Sequence, residues 1–104
     1  MEQHNDREER FLRIAAPILN ELGFSSPREL IKEQLRLMIE ARISRYEAED
    51  RSFAAKYGKS FDTFASDCAR GPELFEHEDD LNDWRFSREA LFHYRARLSE
   101  IENA

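Results

Sequence analysis

Between Pro27 and Gly58 no glycine or further proline interrupts the chain, and this stretch constrains the fold more than any other feature. Ser26-Pro27-Arg28-Glu29 opens it with an N-cap serine, a proline at the first helical position and a glutamate three residues after the cap. In that order each cap side chain satisfies a backbone donor that a helix start leaves over. Lys56 and Lys59 complement the negative end of the same helix. The spacing predicts a helix over residues 26–58, about 45 Å long at about 1.5 Å per residue, longer than a compact domain of 104 residues needs. Its first half is apolar nearly all round: Leu30, Ile31, Leu35, Leu37, Met38, Ile39, Ala41 and Ile43. One neighbouring helix cannot cover so many directions. A homodimer is expected, with Ile31, Leu35, Met38, Ile39, Ile43 and Tyr46 at its interface.

The remaining punctuation divides a single expected domain, 1–104, into further helices. Gly23, Gly58 and Gly71 each follow a helix-like stretch, as a left-handed C-terminal residue does, and Pro27 and Pro72 stand where helices can begin. Valine is absent and Ala, Leu, Glu and Arg abound, which favours helix over strand. Within residues 1–25 a helix is expected from about Asp6 to Leu22, with Phe11, Ile14, Ala15, Ile18 and Leu22 on one face. Pro17 predicts a kink or a late start there. A short helix over 60–70 follows, capped by Ser60, with Phe61, Phe64, Ala65 and Cys68 sharing a face. An acidic connector is expected over 72–83, with one turn around Leu74-Phe75, and a last helix over 80–102. There Trp84, Leu91 and Leu98 interleave with Ser87, Tyr94 and Ile101 at sevenfold spacing, the seam of a hairpin or coiled coil. The expected fold class is all-α: a long central helix and a C-terminal helical hairpin in a helical dimer.

Charge narrows the function. Sixteen basic and twenty-two acidic side chains leave a net charge of −6, against the basic face that phosphate contacts require. Residues 60–83 hold eight acids and one base, a local −7, whereas residues 27–59 come to +2. One cysteine excludes a disulfide framework and a four-cysteine zinc site. No apolar run reaches the ~20 residues of a membrane span and the acidic N-terminus does not resemble a signal peptide, so a cytoplasmic protein is expected.

The chemistry-bearing residues point away from catalysis. No serine or cysteine sits in a nucleophile motif and no glycine-rich loop is present to cradle phosphates. Cys68 reads as a small core residue. His4, in a terminus expected to fray, His77 and His93 lie far apart in sequence. His77-Glu78-Asp79-Asp80 lacks the glycine turn and ligand periodicity of a calcium loop. No enzyme, metal or cofactor is expected. The turn Asn20 to Pro27 has the outline of a helix-turn-helix, with Arg28, Lys32 and Arg36 beyond it and Arg7, Arg10 and Arg13 before it. Interleaved glutamates and the apolar start of the long helix argue against DNA recognition. Phe61, Phe64, Phe75, Trp84, Phe86, Phe92 and Tyr94 are expected to form the core of the hairpin. Phe75, Trp84 and Phe86 also flank the acids, a pattern suited to a basic protein partner.

Tyr46-Glu47-Ala48-Glu49, then Lys56-Tyr57-Gly58-Lys59-Ser60-Phe61-Asp62-Thr63-Phe64, then acids before Asp83-Trp84 and a heptad helix form a further pattern. Over residues 26–101 it resembles short helical proteins of bacteria and archaea that are similar to antitoxins of toxin–antitoxin pairs. Residues 1–25 have no counterpart, and Arg85 stands where such proteins often carry an acid. The resemblance implies a non-catalytic, antitoxin-like binding module whose target is a small basic protein, often a nuclease. Glu76, Glu78, Asp79, Asp80 and Asp83 would then compete for a phosphate-binding cleft, with Phe75, Trp84 and Phe86 as apolar anchors. A homo-oligomeric assembly protein and a helix-turn-helix DNA-binding regulator remain the alternatives.

Overall fold

The computed structural model describes residues 4–104. Four helices follow one another: α1 (His4–Glu21), α2 (Pro27–Tyr57), α3 (Phe61–Arg70) and α4 (Phe75–Glu102). No strand occurs among the described residues. The described residues form two compact units, one ending at Arg36 and the other spanning Leu37–Ala104, with the boundary inside α2. Residues 1–3, part of the terminus expected to fray, lie outside the described residues.

In the first unit Pro17 is accommodated inside a helix that continues to Glu21. Proline merely withholds the one N–H that would reach the Arg13 carbonyl. Gly23, at φ +93°, ends the chain's first helical run. The Phe24 N–H bonds to the Leu19 carbonyl at 2.8 Å and the Gly23 N–H to the Asn20 carbonyl at 3.1 Å, the paired closure that a left-handed glycine permits. The start of α2 follows its sequence: Ser26 Oγ accepts from the Glu29 N–H at 3.2 Å. Glu29 Oε2 reaches one residue further back than a capping box requires and accepts from the Ser25 N–H.

The second unit is organised around rings. Trp84 is 1% exposed and Phe64 2%. Phe53 stacks on Trp84 at 5.6 Å, Tyr57 on Phe64 at 4.1 Å, and Phe61 meets Trp84 edge-on at 5.4 Å. Each such pair contributes about 0.5–1.5 kcal/mol beyond its buried area. Polar bonds tie α2 to α4 around them. The indole Nε1–H of Trp84 donates to Asp50 Oδ1 at 2.7 Å, and Ser87 Oγ, itself buried, donates to Glu49 Oε1 at 2.6 Å. Arg88 pairs with Asp50 and Arg95 with Glu47. The interleaved sevens of α4 face this core: Trp84, Ser87 and Leu91 are buried, and Tyr94, Leu98 and Ile101 half-buried.

Ser60 caps α3, its Oγ accepting from the Thr63 N–H. Two expectations are corrected. Gly71 is extended, at φ −99° and ψ −176°, because the proline that follows it disfavours helical and left-handed backbone alike. The stretch expected to connect the last two helices is itself helical from Phe75. Nothing after Pro72 breaks a helix, and Glu76 and Glu78 in the first turn favour the positive end of α4.

Candidate binding face of α4

The acidic stretch, being helical, sorts its side chains by direction. Phe75, Asp79, Asn82 and Phe86 follow at spacings of four, three and four, which places them along one side of α4. Trp84 points the opposite way. Phe75 is 88% exposed and Phe86 60%, about 16 Å apart along the axis. One edge of Phe86 meets the Tyr46 ring at 6.1 Å. Beside it a cleft of about 290 Å³ is lined by Arg45, Ser52, Phe53 and Asp83, among others. Glu78, Asp79 and Asp83 are exposed, and no hydrogen bond or ion pair engages their carboxylates among the described residues.

The remaining acids of the set are occupied. Asp80 accepts from Lys56 Nζ at 2.6 Å and from the Tyr57 hydroxyl, and Lys56 also reaches Glu76 at 3.1 Å. The Lys56 ammonium, with help from the Tyr57 hydroxyl, holds the Asp80 carboxyl below its usual range. Asp80 and Glu76 in turn push the Lys56 ammonium up. Burial, and then the Asp80 bond, raise the Tyr57 phenol. Asp80 is therefore a brace between the last turn of α2 and the second turn of α4. Trp84, expected as an anchor at the partner's edge, is a core residue, because position 84 lies on the inward seam and its indole N–H is spent on Asp50. The hairpin rings also divide: Phe61, Phe64, Trp84 and Tyr94 turn inward, while Phe75, Phe86 and Phe92 are exposed.

A second groove, about 640 Å³, runs between α3 and the start of α4 over Phe64, Cys68, Leu74 and Leu81, with Glu73 and Glu78 among its lining. His77 faces it and sits edge-on to Tyr57 at 5.4 Å. Among the described residues no three His, Cys, Asp or Glu side chains converge to hold a metal ion, and no helix is long and apolar enough to cross a membrane.

Of the expected dimer interface, Ile31, Leu35 and Met38 are exposed and Ile39 and Ile43 half-buried. Tyr46 is buried within its own unit, stacked on Tyr94 at 6.1 Å, and cannot serve an interface in this fold. The α2 cations of the helix-turn-helix outline are not uniformly available: Arg36 is bound to Glu33 at 2.6 Å. Sequence reasoning missed the Lys56–Asp80 brace, since the pair stands 24 positions apart and only a helical connector brings the two within reach. No family model, curated protein or solved structure matches the chain.

Proposed function

We propose that this chain is a non-catalytic, antitoxin-like module that captures a small basic protein on the N-terminal half of α4. The observation that carries the reading is the pairing of two exposed phenylalanines with unengaged acids on adjoining sides of one helix. A surface that served solubility alone needs the acids and not the rings; large exposed apolar groups beside charge mark interaction sites. The acids Glu78, Asp79 and Asp83 steer a cationic partner, and Phe75 and Phe86 fill apolar recesses on it once docked. The groove between α3 and α4 offers a place for an apolar side chain of the same partner.

A gentle tagged pull-down from the native host at modest salt, read by mass spectrometry, tests the reading. A stoichiometric small basic companion is expected, released by high salt and lost from a Phe75→Ala/Phe86→Ala variant. A companion retained undiminished by that variant sinks the α4 assignment. Recovery of the protein with no companion favours the second reading, a homo-oligomeric assembly protein. The exposed Ile31 and Leu35, one turn apart near the start of α2, speak for that alternative.

A further inference from the structure

We infer that the exposed apolar edge of α1 pairs antiparallel with the same edge of a second copy of this chain. Phe11, Ile14, Ile18 and Leu22 follow at spacings of three, four and four, along one side of the helix and its C-terminal turn. All four are exposed, Phe11 to 64% and Leu22 to 69%, while Leu19, further round the same apolar arc, is buried. Half of the arc is covered and half is not.

Charge identifies what covers the rest. At about 100° per residue, Arg7 and Arg10 border the stripe near its start, and Glu21 borders the same edge near its end. No hydrogen bond or ion pair engages the side chains of these three among the described residues. A two-fold axis near Ile14 lays Phe11 against Ile18 of the other copy and Ile14 against its own counterpart. The same operation carries Arg7 and Arg10 to the other copy's Glu21, twice over. A parallel pairing faces this edge with the opposite edge of the other copy and brings these arginines and glutamates together nowhere. The area agrees. The four side chains expose on the order of 450 Å², and an interface about 60% apolar built on them reaches about 750 Å² per copy. Each partner of a standard interface buries about 800 Å².

Sedimentation of the full chain at about 50 µM is expected to show a dimer. In a Cys68→Ala background, Ile14→Cys links two copies on mild oxidation and Leu22→Cys does not, since only positions near the axis come within the roughly 4.4–6.8 Å Cα separation of a disulfide. Glu21→Arg brings like charges together at both ends and weakens dimerisation about tenfold, and adding Arg7→Glu and Arg10→Glu restores it. A monomeric wild-type chain, equal cross-linking at positions 14 and 22, or no rescue by the charge exchange overturns the pairing. The charge exchange needs no cysteine, so it decides the question even if the Cys68→Ala background folds poorly. None of these readouts depends on what α4 binds, so failure here leaves the α4 reading standing and the converse holds too.

Discussion

Two aromatic residues on α4 illustrate how much a position on a helix decides. Trp84 and Phe75 both border the acids in sequence, yet Trp84 is 1% exposed and Phe75 88%. Truncating the first removes a ring packed on Phe53, Phe61 and Phe64 and strands a core hydrogen bond. Trp84→Ala is expected to cost about 3–5 kcal/mol, measured by urea unfolding. Phe75→Ala should stay within about 0.5 kcal/mol of the parent chain, because its ring is already in water. A Phe75→Ala loss comparable to that of Trp84→Ala would show that the exposed face is structural and remove its claim to be a binding surface.

At the scale of elements, α2 and α4 are joined by carboxylates whose ionisation the fold favours. The Lys56 bond depresses Asp80, and the Ser87 hydroxyl depresses Glu49. A carboxyl depressed in the folded state binds its proton more readily when unfolded, so stability rises with pH between the two values. The contribution is complete above the ordinary carboxylate range of about 4 and is lost as pH falls through the depressed folded values. Urea midpoints are therefore expected to hold level from pH 7 to about 5 and to fall below about 4. Asp80→Asn should flatten part of that acid limb; an unchanged limb would show that Asp80 contributes nothing to it. Local chemistry made much of these elements legible in the sequence. The caps at Ser26 and Ser60 and the left-handed Gly23 and Gly58 depend only on neighbours along the chain. The start of α4 was not legible, because a run of acids suits a solvated loop and a helix N-terminus equally. Nor was the division of the rings, since the inward side of Phe61 or Tyr46 is fixed by partners far along the chain.

For the whole molecule, the segregated charge becomes a statement about rates. The local −7 over residues 60–83 is partly answered within the fold, by Lys56 at Asp80 and Glu76 and by Lys59 at Asp67. Glu78, Asp79 and Asp83 are left to act outward. Exposed charges act at a distance of about one Debye length, about 10 Å at 0.1 M salt and about 3 Å at 1 M, so they govern encounter; buried rings govern release. With the basic companion in hand, Asp79→Asn/Asp83→Asn should slow association on the order of tenfold at low salt and flatten its salt dependence. Phe75→Ala/Phe86→Ala should leave association nearly unchanged and speed dissociation, both read by stopped-flow or surface-based kinetics. The two double variants must separate on these two axes if α4 is the docking element. A companion whose association rate is indifferent to the acids at every salt concentration binds elsewhere, and the acidic half of α4 then has no role in capture.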